Sequence, residues 1–139
     1  MMQRLVHSAD ETRALGAALG RSAQPGDVLW LHGDLGAGKT EMTKGVAEGL
    51  ACVSPVSSPS FALIHEYQGG RLPLYHIDLY RIERLSEALS LGLEELLDRD
   101  AVVLVEWGER FPALWPASRV EVRLAARDDE TRIVTVTGA

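Results

Sequence analysis

The spacing of apolar residues in the first 26 positions predicts a short strand followed by a helix. Arg4–His7 has the pattern of a strand, and Ala9–Arg21 repeats with the helical period. Ser8 and Glu11 have the spacing of a capping box, in which side chains satisfy the free backbone N–H groups at a helix start. Pro25-Gly26 ends this segment, so we expect a strand–helix unit at the N-terminus.

Two uninterrupted apolar runs further along the chain predict strands that are buried on both faces. Val28–Leu31 and Val102–Val105 contain no polar residue, which is typical of parallel strands covered by helices on both sides. A helical pattern follows the first run and extends to about Gly49. Leu85–Leu97 also has the helical period, and Gly92 divides it into two short helices. Buried strands that alternate with helices predict an α/β fold.

Two pairs of shorter segments predict β-hairpins. Phe61–Tyr67 and Leu72–Asp78 are joined around two glycines, whereas Val120–Leu124 and Ile133–Val136 flank a charged turn. The chain has 139 residues and neither an internal repeat nor a linker, which is the size of one hydrophobic core. We therefore expect one domain over residues 1–139, with a mixed β-sheet, flanking helices and β-hairpins.

Composition narrows the class of function. The chain carries 14 basic and 20 acidic residues, for a net charge of −6, so unaided binding to nucleic-acid phosphates is disfavoured. The single cysteine, Cys52, provides neither a disulfide framework nor a Cys-based zinc site. No signal-peptide pattern and no run of about 20 apolar residues is present, so we expect a cytoplasmic protein that does not enter a membrane.

A phosphate-binding loop follows the first apolar strand. Gly33–Thr40 fits the pattern G-x-x-x-x-G-K-[ST], whose glycines let the backbone N–H groups point inward at phosphate oxygens. In this pattern Lys39 reaches the β- and γ-phosphates, and the Thr40 hydroxyl ligates Mg²⁺. The simpler alternative is a glycine-rich turn between a strand and a helix. The predicted phosphate-binding residues are Gly33, Leu35, Gly36, Ala37, Gly38, Lys39 and Thr40.

Two carboxylates at predicted strand ends are candidates for the chemistry of such a site. Glu106 follows the second apolar strand and is the better candidate for a Mg²⁺ ligand beside Thr40. Asp78 ends the strand of the first hairpin and would position the attacking water. With Lys39, they are the predicted catalytic residues. The alternative is that each carboxylate caps its strand or pairs with Arg81 or Arg110.

Several other polar side chains are open to more than one interpretation. Ser57, Ser58 and Ser60 lie in a loop, where their hydroxyls would either sense the γ-phosphate or form ordinary turns. Trp107 is expected at the edge of the core. The histidines have no metal-ligand spacing and are expected to be solvated or in the core; they are His7, His32, His65 and His76.

Some nucleotide enzymes are excluded by residue type, and one remains as an alternative. The chain has no asparagine, which both Ras-type guanine recognition and protein-kinase catalysis require. A small-metabolite P-loop kinase remains possible, with Arg81, Arg84 and Arg99 as its phosphate-binding arginines, although 139 residues leave little chain for a lid. A nucleotide-binding regulator without turnover is a third class.

The motifs together resemble one family, the bacterial tRNA threonylcarbamoyladenosine biosynthesis ATPases known as TsaE or YjeE. The phosphate loop alone is unspecific, but the Asp-Leu-Tyr-Arg and Glu-Trp segments together are distinctive. The order and spacing of the matching segments cover most of the chain; they are Gly33–Thr40, Ser58–Phe61, His76–Arg81, Leu91–Glu95 and Val105–Arg110.

This resemblance implies a single, compact P-loop NTPase-like domain that binds ATP or ADP with Mg²⁺ and hydrolyses ATP weakly on its own. It also implies two partner proteins, TsaD and TsaB, which transfer a threonylcarbamoyl group to the adenosine beside the anticodon of certain tRNAs. The tRNA would therefore be reached only through these partners. Thr40 and Glu106 would be metal-binding positions, Asp78 a carboxylate needed for activity, and Leu35–Thr40 the segment that wraps the phosphates.

The chain departs from the family pattern at two positions. Ser60 stands where the family usually has Thr, which preserves a hydroxyl. Glu41 stands where the family commonly has a second Thr, which places a carboxylate near the phosphates unless the helix points it away. The resemblance leaves the contacts to the base open, with Arg132 as one candidate.

Overall fold

The computed structural model describes residues 2–34, 36–53, 63–127 and 129–138, which form a seven-stranded mixed sheet with flanking helices. The strand order across the sheet is β1-β7-β6-β2-β5-β4-β3. The strands are β1 (Met2–Val6), β2 (Val28–Gly33), β3 (Ile64–Tyr67), β4 (Leu74–Asp78), β5 (Val102–Glu106), β6 (Val120–Ala126) and β7 (Arg132–Thr137). The α/β class, the mixed sheet and the two hairpins are confirmed.

The central strands of the sheet are parallel, whereas its outer strands are antiparallel. β2 lies between β5 and β6 and is parallel to both, and β4 is parallel to β5. β7 and β1 add antiparallel strands on one side, and β3 adds one on the other. Because parallel strands end at the same edge of a sheet, the residues that follow β2, β4 and β5 meet there. This edge carries the phosphate loop and both candidate carboxylates.

Helices cover the two faces of the sheet, as the apolar runs predict. They are α1 (Ala9–Ser22), α2 (Lys39–Gly49), α3 (Leu85–Ser90) and α4 (Leu93–Leu97). One apolar cluster joins α1 and α2 to one face of the sheet, through residues such as Leu15, Val46 and Leu104. A second cluster joins α3 and α4 to the other face, through residues such as Leu93 and Val103. Burial on both faces explains why β2 and β5 contain so few polar residues.

The element boundaries agree closely with the sequence patterns. α1 begins at Ala9, where the Ser8 hydroxyl accepts a hydrogen bond from the Glu11 N–H at 3.1 Å. The Glu11 carboxylate in turn accepts from the N–H of His7. The first strand is shifted toward the N-terminus and ends at Val6, and the part of the predicted Phe61–Tyr67 strand before Leu63 lies outside the described residues. Within the described ranges, no helix is long and apolar enough to cross a membrane.

Candidate functional site

The backbone of the phosphate loop explains its glycines. β2 ends at Gly33 and α2 begins at Lys39, so a short loop joins them at the edge where the parallel strands end. Gly36 and Gly38 have φ angles of 82° and 105°, in the left-handed region where other residues are strained. Leu35 lies outside the described residues. The loop conformation therefore requires glycine at position 38, which the motif specifies, and at position 36, which is one of its variable positions.

The first turn of α2 provides donors for an anion. The Met42 N–H bonds back to the Gly38 carbonyl at 3.0 Å, and helix geometry leaves the N–H groups ahead of it without an intrahelical acceptor. The helix dipole adds partial positive charge at the same point. Unpaired N–H groups and a positive helix end form a site suited to phosphate.

Lys39, Glu106 and His76 form a connected cluster beside this loop. The Lys39 Nζ lies 3.4 Å from Oε1 of Glu106, and the His76 Nε2 lies 2.7 Å from Oε2. The side chains of Lys39 and Glu106 are only 17% and 12% exposed. Burial alone would raise the pKa of Glu106, but the hydrogen bond from His76 and the charges of His76 and Lys39 outweigh burial and lower this pKa. Glu106 is therefore ionised and available as an oxygen ligand.

Asp78 lies beside Glu106 at the ends of two adjacent parallel strands. The two residues are partners in the register of β4 and β5, and the Leu79 N–H donates to the Glu106 carbonyl at 3.1 Å. One carboxylate oxygen of Asp78 accepts a hydrogen bond from the Tyr80 N–H at 2.9 Å. Burial, with a further contribution from the charge of Glu106, raises the pKa of Asp78. The structure thus brings together both carboxylates and the lysine that the sequence predicts.

The alternative pairing of these carboxylates with arginine is not observed in the described part of the chain. The Arg110 guanidinium donates to the carbonyls of Tyr80 and Ile82, at 2.7 and 2.8 Å. It also lies over the rings of Tyr80 and Trp107, at 5.7 and 5.1 Å from their centroids. Trp107 is half-buried against the second apolar cluster, at the rim of the core as expected, and Arg110 contacts this aromatic pair rather than the carboxylates.

Glu41 is one of the two departures from the family pattern, and nearby cations compensate its carboxylate. Its Oε2 lies 2.7 Å from Nη2 of Arg13 on α1, and its Oε1 lies 3.3 Å from Nζ of Lys44. The hydrogen bond from Arg13 lowers the pKa of Glu41 despite its partial burial. An anion in the loop consequently meets a neutralised carboxylate instead of a free one.

Two clefts flank the phosphate loop. One, of about 410 Å³, is lined by residues that include Gly33, Lys39 and Trp107. The other, of about 240 Å³, is lined by Gly36–Gly38 and by Arg132 of β7. Arg132 donates from Nη2 to the Gly36 carbonyl at 3.2 Å, although 96 residues separate the two in sequence. Both clefts border the loop, so a nucleotide whose phosphates lie in the loop has room on either side of the loop.

The oxygen donors at the loop fit a hard divalent cation. Thr40 is exposed at the start of α2, and its hydroxyl makes no hydrogen bond to any described residue. No cluster of three or more His, Cys, Asp or Glu side chains that would hold a metal occurs among the described residues. Magnesium commonly binds through one or two protein oxygens and completes its shell with phosphates and water. Thr40 and Glu106 match that requirement.

Of the remaining predicted residues, Arg99 lies away from the loop. Arg99 donates to the Tyr75 hydroxyl at 2.8 Å and precedes β5, so it lies at the opposite edge of the sheet. Arg84 is exposed at the start of α3. Ser57, Ser58 and Ser60 lie outside the described residues. The structure therefore does not bring together the arginines that a metabolite kinase would need.

Comparisons with known proteins give one consistent result. A family model described as threonylcarbamoyl adenosine biosynthesis protein TsaE matches residues 6–134. The chain is 46% identical over 128 residues to the tRNA threonylcarbamoyladenosine biosynthesis protein TsaE of Bacillus subtilis, covering 92% of this chain and 80% of that protein. The Treponema pallidum protein of the same name is 38% identical, with 97% and 99% covered. The crystal structure of YdiB from Bacillus subtilis superposes with a TM-score of 0.85 at 39% identity, covering 99% of this chain and 84% of that one.

Proposed function

We propose that this chain, which belongs to the TsaE family of threonylcarbamoyl adenosine biosynthesis proteins, is the ATP-binding subunit that hydrolyses ATP during threonylcarbamoyladenosine modification of tRNA. The observation that carries this proposal is the position of Lys39, Glu106 and Asp78 around the phosphate loop. A lysine on the phosphates, an oxygen ligand for Mg²⁺ and a residue that positions the attacking water are the groups that phosphoryl transfer to water uses.

Lys39 and the loop backbone would hold the phosphates. The N–H groups at the start of α2 and the Lys39 ammonium present positive charge to the β- and γ-phosphates. The Lys39 Nζ lies 3.4 Å from Oε1 of Glu106. A bound phosphate supplies a competing anion for the ammonium, and this exchange leaves Oε1 of Glu106 without its cationic partner.

Thr40 and Glu106 would hold Mg²⁺ together with the phosphate oxygens. The metal, when bound, neutralises the charge that develops on the phosphate oxygens. Thr40 contributes a hydroxyl that has no other partner among the described residues, and Glu106 contributes a carboxylate whose low pKa keeps it ionised. Both protein ligands are oxygen atoms, as Mg²⁺ prefers.

Asp78 would orient the attacking water and accept its proton. One carboxylate oxygen is held by the Tyr80 N–H, which fixes the direction of the other oxygen. Its raised pKa makes Asp78 a stronger base than an exposed aspartate. Two adjacent carboxylates with pKa values shifted in opposite directions suit separate roles, one as metal ligand and one as base.

The nucleoside would occupy the cleft of about 240 Å³ beside Gly36–Gly38. This cleft borders the loop, but its lining contains neither Lys39 nor Glu106. It would therefore hold the nucleoside, away from the reacting γ-phosphate. Arg132 is already held against the loop by its bond to the Gly36 carbonyl and would contact the nucleotide there.

The acidic composition indicates how such a subunit would act on tRNA. A net charge of −6 disfavours direct binding to the tRNA backbone. We therefore assign tRNA binding and group transfer to partner proteins of the TsaD and TsaB kinds, and ATP hydrolysis to this chain. The metabolite-kinase alternative is disfavoured because Arg99 lies at the far edge of the sheet.

A pull-down and a turnover assay test the proposal together. The tagged chain is mixed with purified TsaD and TsaB in the presence or absence of ATP, and retained partners and inorganic phosphate are measured. We expect ATP-dependent retention of the partners and release of inorganic phosphate, both lost in Lys39→Ala. Transfer of phosphate to a small acceptor would favour the kinase, and tight ATP binding without turnover in the presence of both partners would favour a regulator.

A further inference from the structure

His76 is a buried polar residue in an otherwise apolar part of β4. Its neighbours along the strand belong to the two apolar cores, Leu74 on the α1–α2 side and Tyr75 and Ile77 on the other side. Since alternate residues of a strand share a face, His76 lies on the α1–α2 side with Leu74 and Asp78. His76 is only 2% exposed. Burying an imidazole costs free energy unless it is hydrogen-bonded, so its contacts indicate why it is there.

Among the described residues, the one polar contact of this imidazole is to Glu106. His76 Nε2 lies 2.7 Å from Oε2 of Glu106, and Nδ1 has no hydrogen-bond partner within the described structure. Register places Leu104 opposite His76 and Glu106 opposite Asp78, so the imidazole reaches its carboxylate diagonally across the strand pair. Since an ionised carboxylate oxygen only accepts hydrogen bonds, the proton of this contact lies on Nε2, which donates to Oε2.

This contact divides the two oxygens of Glu106 between different tasks. Oε2 is held from within the sheet by His76, whereas Oε1 faces Lys39 and the phosphate loop at 3.4 Å. A carboxylate with one oxygen fixed by a buried donor cannot rotate freely about its terminal torsion. Donors behind a metal ligand commonly set its orientation, and their loss costs about 10–100-fold in metal affinity or activity.

We propose that His76 is a positioning residue, which donates from Nε2 to Oε2 of Glu106 and so aims Oε1 at the cation that accompanies the nucleotide. The inference rests on the proposed function, because it presupposes that Glu106 is a metal ligand. It adds a residue that neither touches the nucleotide nor belongs to the phosphate loop. A purely structural role would require only the volume of the imidazole, which an apolar side chain of similar size supplies.

The test compares substitutions that keep or remove the donor. His76→Phe fills the volume of the imidazole but provides no donor. In His76→Gln, the side-chain amide provides an N–H donor at about the same distance from the backbone as Nε2. Mn²⁺ affinity for the protein saturated with ADP is measured by electron paramagnetic resonance, and ADP affinity in EDTA by calorimetry. We expect Mn²⁺ affinity to fall about 10–100-fold in His76→Phe and to stay within about threefold of the parent in His76→Gln. Metal-free ADP affinity is expected to stay the same in both.

Other outcomes separate the failure of this inference from failure of the proposed function. Equal Mn²⁺ affinities in the parent and in His76→Phe would overturn the positioning role, as would an equal loss in His76→Gln. If the Phe variant does not fold, His76→Met and His76→Gln, which have similar length and differ in the donor, provide the same comparison. Absence of ADP binding by the parent chain would instead refute the proposed function.

Discussion

Helices α1 and α2 touch at glycines, and adding one methyl group there provides a sensitive test of the packing. A Cβ placed on Gly45 of α2 would overlap the Arg13 carbonyl oxygen and lie 2.9 Å from the Gly16 Cα, both on α1. These obstacles are backbone atoms, so no side chain can rotate away to relieve the overlap. Gly45→Ala must therefore push the two helices apart.

The size of the effect follows from two opposing contributions. Carbon atoms pack best at about 3.5–4.0 Å, and the overlap with the Arg13 oxygen is closer than the 2.9 Å contact with the Gly16 Cα, so relieving it requires a shift of roughly 1 Å or more. Overpacking of this kind costs about 1–3 kcal/mol, and a backbone obstacle places it at the upper end. Replacing glycine by alanine within a helix returns about 1 kcal/mol. We expect a net loss of about 2 kcal/mol in the free energy of unfolding.

Thermal unfolding followed by circular dichroism measures this prediction. For a chain of this length a loss of about 2 kcal/mol lowers Tm by roughly 8 °C. Ala18→Gly, at an exposed position of α1, serves as a control because it changes helix propensity without a close contact and costs about 1 kcal/mol. If Gly45→Ala unfolds at the same or a higher temperature than the parent, the gain in helix propensity outweighs the overlap, and the close contact between α1 and α2 is refuted.

Three further substitutions test other parts of the structure. Arg71 donates to the carbonyls of Gly20 and Ala23 at 2.8 Å, at the end of α1. Arg71→Ala is therefore expected to lower the free energy of unfolding by about 1–2 kcal/mol, measured by urea titration. An unchanged urea midpoint would show that Arg71 does not stabilise this helix end. The raised pKa of Asp78 means that its ionised form is disfavoured in the fold, and protonation recovers that stability as pH falls through the folded pKa. Asp78→Asn should therefore raise Tm at neutral pH, and the Tm difference from the parent should shrink as pH falls. A Tm difference that does not depend on pH would show that the pKa of Asp78 is not raised. Glu106→Ala is expected to reduce Mg²⁺-dependent ATP hydrolysis by about 100-fold while leaving metal-free nucleotide binding measurable, and full hydrolysis would exclude Glu106 as a ligand.

The sequence predicted those parts of the site that depend on local spacing and on strand ends. The phosphate loop is a contiguous motif, and its neighbouring strand and helix follow from hydrophobic period. Glu106 and Asp78 could be placed together because each ends a buried strand, and parallel strands end at one edge of a sheet.

Contacts between distant segments could not be derived in this way. The bond from His76 to Glu106 depends on the diagonal relation of two strands, and periodicity alone shows only that His76 lies on one face of β4. The bond from Arg132 to Gly36 depends on how the last hairpin folds back beside the loop, across 96 residues. The compensation of Glu41 by Arg13 likewise depends on the way α1 crosses α2.

The proposed function depends above all on the binding of the ATP phosphates by Lys39 in the phosphate loop. Isothermal titration calorimetry of ATP with Mg²⁺ tests it on Lys39→Ala, with Lys44→Ala, the other lysine of the chain, as the matched control. Loss of hydrogen bonds from a charged group costs about 1.5–3 kcal/mol, so ATP affinity is expected to fall up to about 100-fold in Lys39→Ala and to stay near the parent in Lys44→Ala. Undiminished ATP affinity in Lys39→Ala, or an equal loss in both variants, would show that Lys39 does not bind the phosphates.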